Sequence, residues 1–196
     1  MDQPRELVLA STSVYRRALL QRLRLSFEAA APDTDETALA GERPQETAWR
    51  LSLDKARAVA RRFPEALIIG SDQVAAYGEE RLGKPGNHAN ALRQLRSLSG
   101  KAADFHTAVS LLDARTGEAR SHIIFCRVVF RSFDERQIET YLHLEQPYDC
   151  AGSAKSEGLG IALIERIETE DPTSLVGLPL IALSTMLAQA GMPVLG

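Results

Sequence analysis

The chain switches repeatedly between short apolar runs and stretches whose apolar positions recur every three or four residues. Leu7 to Ala10 is an apolar run of strand length with a β-branched residue inside it. It breaks into Ser11, Thr12 and Ser13, and a helical pattern follows at once. The spacing predicts a strand over about 5–10, a helix over about 13–25 and a short strand near 27–31. A helix is expected from about Pro44 to Phe63, since proline suits a first helical turn. Residues 66–78 read as a strand with a polar interruption at Ser71, Asp72 and Gln73. The Gly83-Lys84-Pro85-Gly86 turn precedes a helix over about 87–98. Two long strands, near 103–113 and 119–131, flank Arg115-Thr116-Gly117-Glu118 as a hairpin. A helix over about 134–144, a glycine-rich loop at 151–160, a strand over 161–167 and a helix over about 179–190 complete the chain. Strands alternate with helices, yet the central hairpin is antiparallel. The expected fold class is therefore α/β with a mixed sheet.

Size narrows this picture. The 196 residues make one large domain, or two small lobes sharing a sheet, and a single domain over 1–196 is expected. No repeat, low-complexity tract or linker interrupts it. A hydrophobic content of 44% and a charged content of 25% are those of a water-soluble globular chain. No apolar stretch reaches membrane-spanning length, and the N-terminus lacks a signal-peptide layout, so no membrane partner and a cytoplasmic location are expected. Cys126 and Cys150 are too few and too separated for a thiolate metal site or a disulfide framework. Each reads as a small buried hydrophobe. A net charge of -3 argues against a nucleic-acid polymer as the main ligand, while leaving room for a local positive site. The 23 basic residues comprise 19 arginines and only four lysines: Lys55, Lys84, Lys101 and Lys155. An ammonium meets a phosphate differently from a guanidinium, so each lysine is worth separate inspection.

Chemistry enters at the polar interruptions. A strand, a hydroxyl turn and a helix N-terminus together make an anion site, because the first helical N–H groups lack partners. Arg16 and Arg17 in that first turn oppose the positive end of the helix dipole unless an anion is bound, which points to phosphate. Ser13 as a plain N-cap is the competing reading. The acidic loop with Asp33, Asp35 and Glu36 reads as a solvated turn or as oxygen ligands for Mg²⁺ or Mn²⁺. Asp72 follows the apolar run Leu67-Ile68-Ile69-Gly70, and a buried carboxylate must be paired, metal-bound or chemically active. Gln73 faces the opposite side from Asp72 by strand alternation, or is a polar edge residue. Lys84 is the one cation of a rigid turn, or an ordinary surface lysine. Lys55 reads as part of a solvated helix face, paired with Asp54 or Glu46. The loop with Lys155 and Glu157 fits neither the Walker spacing nor the dinucleotide fingerprint. His88, His106, His122 and His143 fall in no catalytic or metal-ligand spacing.

Taken together, LASTSVYRR (9–17), DE (35–36), Asp54-Lys55-Ala56, IIGSDQV (68–74), GKP (83–85), LSG (98–100), CAGSAKSEGLG (150–160) and DPTSLVGLPL (171–180) resemble the Maf-like nucleoside triphosphate pyrophosphatases. The pieces occur in the family's order and span nearly the whole chain. The resemblance implies a mixed twisted β-sheet with two α/β lobes around a central nucleotide cleft. It implies homodimers, a divalent metal cofactor, and cleavage of a nucleoside triphosphate to its monophosphate and diphosphate. Carried over by position, Ser11, Arg16 and Lys84 match triphosphate-binding residues, and Lys55 is a further substrate-binding cation. Asp72 matches the catalytic proton acceptor, and Glu36 with Asp72 the metal site. Whether Asp72 takes the proton or mainly holds metal is left open by this comparison.

Tyr15, Gln73 and Glu157 resemble the 7-methyl-GTP branch, whereas the dTTP/UTP branch typically has arginine, threonine and glutamine there. The physical logic is that N7 methylation makes guanine cationic, so an aromatic face attracts it. A carboxylate can accept from the guanine N1–H and amine in a charge-assisted pair. Glu157 as a lysine-paired loop carboxylate is the simpler reading. The expected biological role is removal of modified nucleotides from the pool. A dTTP/UTP pyrophosphatase and a nucleotide-binding regulator of cell division are the alternatives. Two departures from the family pattern stand out: Val14 where proline is common, and Ala108 where glycine is. The latter implies a different strand conformation if that position uses positive φ.

Overall fold

A computed structural model describes residues 5–196 and divides them into two compact units. The first four residues, which entered the reading of the N-terminus, lie outside the described residues. The first unit comprises residues up to Gln73, Thr107–Ile124 and Asp171–Gly196. The second comprises Val74–His106 and Phe125–Glu170.

In the first unit, β1 (Leu7–Ala10) pairs in parallel with β2 (Glu28–Ala30) and with the start of β3 (Leu67–Tyr77). The later part of β5 (Ala102–Asp113) lies beside β3, and β6 (Ala119–Phe130) beside β5. The period-two pattern sorts the two faces. Leu7, Leu9, Leu67 and Ile69 pack with Leu19 and Leu20 of α1 (Val14–Gln21) and with Leu183 and Leu187 of α5 (Leu180–Gln189). Val8, Ala10 and Ile68 point the other way, against Ala56 and Val59 of α2 (Pro44–Ala60). In the second unit, β3 continues and pairs antiparallel with β4 (Glu80–Leu82), while β6 pairs antiparallel with β7 (Ile164–Thr169). Helices α3 (His88–Leu98) and α4 (Glu135–Glu145) bury Leu95, Leu98, Ile138 and Leu142. The parallel and antiparallel pairs together give the mixed sheet expected of an α/β chain.

Local chemistry moves some boundaries. The first helix stops at Gln21 rather than near residue 25, because Arg24 takes φ 56 and turns the chain. The last strand begins at Ile164, since Leu159–Leu163 form a 3₁₀ turn. The short β4 has no sequence pattern of its own and exists by pairing with β3. Cys126 is buried, with its thiol pushed up to about 11 by desolvation, but Cys150 is only half-buried. Among the described residues, no helix is long and apolar enough to cross a membrane.

Two contacts place α2 and the segment before it. Gly70 touches the helix so closely that a Cβ there would fall 1.9 Å from the Ser52 carbonyl oxygen and 3.1 Å from the Ala56 Cβ. The segment before α2 is tied down by Glu42. Its carboxylate accepts from Arg50 Nε at 2.7 Å and Nη2 at 2.8 Å, from Thr47 Oγ1 at 2.8 Å and from the Leu39 N–H at 3.0 Å. Arg50 also donates to the Thr37 carbonyl at 3.1 Å. These donors, Arg50 first, hold the Glu42 carboxyl down at about 2.

Gly70→Ala is expected to lower stability by about 3 kcal/mol, because backbone rather than a movable side chain blocks the methyl. Denaturant unfolding measures it, and a loss under about 1 kcal/mol would contradict the close approach. A depressed carboxyl pKa stabilises the fold above the unfolded value, and that contribution is lost as pH falls through the folded one. Glu42→Gln should therefore lower the melting temperature at neutral pH. The difference from wild type should shrink as pH falls from 4.5 toward about 2.

Candidate active site

Asp72 and Lys55 meet because β3 and α2 touch at Gly70. Lys55 lies one residue before Ala56 on the helix, and Asp72 two residues after Gly70 on the strand. Lys55 Nζ reaches Asp72 Oδ1 at 2.7 Å and Glu36 Oε1 at 2.8 Å. Lys55 is 4% exposed and Asp72 6% exposed, whereas the Glu36 side chain is open to solvent. Lys55 is thus not on a solvated face. Asp54 is within ion-pair distance of Arg50 and Arg57, and Glu46 pairs with Arg43. Desolvation raises the Asp72 carboxyl pKa, outweighing the opposing pull of Lys55 and then Arg16, and Glu36 adds to the rise.

Arg16 comes from the first turn of α1. Its Nε donates to the Gly177 carbonyl at 2.8 Å. Burial lowers the guanidinium pKa while Asp72 and Glu36 raise it, and an arginine remains charged under such opposition. The N-cap reading of the hydroxyl turn has a structural counterpart. Ser13 is the N-cap, accepting from the Arg16 N–H at 3.3 Å, and Ser11 Oγ accepts from the Ser13 N–H at 3.1 Å. Ser11 is buried beside it. Val14 opens the helix, so the missing proline does not disturb the turn. Tyr15 is half-buried on that same turn.

Gln73 points away from Asp72, as alternation requires. Its Nε2 lies 2.9 Å from Thr107 Oγ1, 2.9 Å from the Ser174 carbonyl and 3.1 Å from the Leu175 carbonyl. Ser71, on the same face, donates to the Gly177 carbonyl at 2.9 Å and to the Ala108 carbonyl at 2.8 Å. Gly177 takes φ 115, a conformation that strains any residue with a Cβ, and this aims its carbonyl at both donors. Ala108 lies in regular β5 without positive φ, so alanine costs nothing there.

The structure brings Ser11, Tyr15, Arg16, Glu36, Lys55, Asp72 and Gln73 into the first unit. Lys84 and Glu157 belong to the second. Lys84 is exposed on its turn. Glu157 is exposed on a loop that Glu145 clamps through Lys155 Nζ at 2.8 Å and the Leu159 N–H at 2.7 Å. Within the acidic loop, Asp35 accepts from the Thr37 N–H in a local turn, and only Glu36 reaches Lys55. Sequence reasoning assigned no task to Thr107, Ser71, Asp171 or Gly177. They lie in DPTSLVGLPL, in IIGSDQV and beside Ala108, but a loop carbonyl acting as an acceptor leaves no trace in residue identity.

Chemically, a buried carboxylate with a raised pKa beside two cations suits proton acceptance near an anionic substrate. A raised folded pKa means that stability falls as pH rises from 3.8 through that pKa, after which the ionised Asp72 is a standing cost. Relative to Asp72→Asn, which does not titrate there, the wild type should therefore lose stability as pH rises from 3.8 through the folded pKa, on top of a constant offset from taking a contact carboxylate away from buried Lys55. Calorimetry over a pH series measures this, and a difference that moves in the wild type's favour as pH rises would contradict the assignment of burial as the dominant influence.

A family model described as Maf-like protein matches residues 6–190. A 7-methyl-GTP pyrophosphatase of Cupriavidus pinatubonensis is 58% identical, over 95% of this chain and 94% of that protein. A protein of the same name from Albidiferax ferrireducens is 54% identical over 100% of both chains. Among solved structures, the Staphylococcus aureus Ham1 protein is similar at TM-score 0.45 and 17% identity, over 64% of this chain and 72% of that one.

Proposed function

The chain belongs to the Maf-like protein family, and from that premise we propose that it is a nucleoside triphosphate pyrophosphatase acting on 7-methyl-GTP. The observation that carries the chemistry is the convergence of buried Lys55 and Asp72 with Glu36. The substrate follows from the name shared by relatives at 54% to 58% identity over nearly the whole chain. Water adds across the anhydride between the α- and β-phosphates, giving 7-methyl-GMP and diphosphate. Asp72 accepts the proton that the attacking water loses. Lys55 and Arg16 offset negative charge that develops on the phosphoryl oxygens. Tyr15 offers an aromatic face to the cationic methylated base.

Mg²⁺ or Mn²⁺ fits this donor set. Glu36 and Asp72 carry hard carboxylate oxygens that lie on either side of the Lys55 ammonium, and such ions use one or two carboxylates plus substrate phosphates. Among the described residues no three acidic, histidine or cysteine side chains are grouped to hold a metal ion, so substrate phosphates would have to supply the remaining ligands. A bound ion would supply further charge neutralisation.

The test is diphosphate release from 7-methyl-GTP, GTP, UTP and dTTP with either metal. Release from 7-methyl-GTP should exceed the rest, and Asp72→Asn should lower kcat by about 10²–10⁴-fold. Preference for UTP or dTTP would reject the substrate and keep the chemistry. Nucleotide binding without Asp72-dependent release would instead indicate a regulator. Without metal or substrate, the Asp72 carboxyl should titrate above 3.8 when its carboxyl NMR resonance is followed over a pH series, because burial disfavours its ionised form.

A further inference from the structure

Lys55 holds both of the carboxylates that suit a divalent ion. Its Nζ lies 2.7 Å from Asp72 Oδ1 and 2.8 Å from Glu36 Oε1. A cation that ligates these two side chains must compete with the ammonium for them. The charges are also balanced already. Arg16 acts electrostatically on Asp72 and on Glu36, so with Asp72 ionised two carboxylates face two cations. A divalent ion would add two positive charges to this neutral group, where Lys55 and Asp72 are buried and like charges are poorly screened. The ammonium has no easy retreat. Its neighbour Ala56 is packed against Gly70, and a buried ammonium that leaves its carboxylates needs another anion. A triphosphate is such an anion. It offers oxygens to the ammonium and to the ion, and its negative charge restores the balance.

We propose that Lys55 is an internal counter-ion that keeps Asp72 and Glu36 from a divalent cation until the triphosphate of the nucleotide takes over the ammonium. This inference rests on the reading of the site as a nucleotide pyrophosphatase. It adds an order to that reading: nucleotide and ion enter together, and each tightens the other. Arg16 differs from Lys55, because it supplies charge while its Nε is held by the Gly177 carbonyl.

The experiment titrates Mn²⁺ into the full chain without nucleotide and follows the free ion by electron paramagnetic resonance. Mildly alkaline pH keeps protons from competing for the carboxylates. Lys55→Met should bind Mn²⁺ about tenfold more tightly than wild type, and Arg16→Met should gain less. Adding Glu36→Gln to Lys55→Met should remove the gain, which locates the ion. A GTP analogue with a methylene group between the α- and β-phosphates is then added, with its chelation of Mn²⁺ in solution subtracted. It should tighten Mn²⁺ binding more in wild type than in Lys55→Met, where no ammonium has to be released. If Lys55→Met does not fold, Lys55→Gln takes its place. Equal or weaker Mn²⁺ binding in the folded Lys55 variant overturns the proposal. An equal gain in Arg16→Met, a gain that survives Glu36→Gln, or coupling to the analogue no larger in wild type overturns it too. Ion binding is read without turnover. A wild type that releases no diphosphate from any nucleotide would therefore reject the pyrophosphatase reading and leave this test standing.

Discussion

An ammonium group at 4% exposure makes strict demands on its surroundings, and several parts of the first unit meet them. Lys55 cannot reach water freely, so it needs carboxylates at contact distance. Asp72 supplies one from the strand and Glu36 one from the acidic segment. Each partner depends on a separate device. The bare Cα of Gly70 lets α2 approach β3 closely enough for Lys55 to span the gap. The Arg50–Glu42 pair, with Arg50 on the Thr37 carbonyl, fastens the segment that carries Glu36. Two acids against one lysine leave an excess of negative charge. Arg16 opposes that excess and Glu36 adds to it, but the largest influence on Asp72 is its own burial. The outcome is a carboxyl poised above the usual aspartate range, the direction a proton acceptor requires.

A second device is built from backbone. The segment 171–178 presents three carbonyls in order: Ser174 and Leu175 to Gln73, and Gly177 to Arg16 and Ser71. A loop that aims acceptors this way must itself be rigid. Asp171, 1% exposed, provides this. One carboxylate oxygen accepts from the Thr173 N–H and hydroxyl, and the other from the N–H groups of Ile181 and Ala182 at the start of α5. The unpaired donors of that helix end are thus satisfied by protein, and the carboxylate matches the positive end of the helix dipole. The anion-binding capacity of α5 is used to hold the segment in place.

Much of this was legible in the residues. The apolar runs at 7–10 and 66–78, the proline start of α2 and the central hairpin all correspond to observed elements. The burial of Asp72 followed from the apolar run before it. Lys55 read as solvated because a helix sequence does not reveal how close its neighbour comes. That distance is set by Gly70, fifteen residues beyond Lys55. Neither Arg24 turning α1 off early nor β4 forming against β3 has a strong local signal, since each depends on tertiary context. Thr107 was visible only as a threonine in a strand. Its hydroxyl meets the Ser174 carbonyl, more than sixty residues away in sequence.

Strand β3 connects these devices through its alternation. Ile68, Gly70 and Asp72 face α2, while Leu67, Ile69, Ser71 and Gln73 face away from it. Within each set, apolar residues at the start anchor the strand and polar residues at its far end act. One side ends in the acid–base group and its lysine. The other ends in two side chains that read the carbonyls of 171–178. A one-residue slip of β3 would exchange the sides completely, setting Gln73 against Lys55 and Asp72 against a row of backbone oxygens. That second contact is strongly repulsive for a carboxylate. The same hydrophobic register that buries Leu67 and Ile68 on their proper sides therefore also enforces which side of the strand carries the proton and which carries the fixed amide.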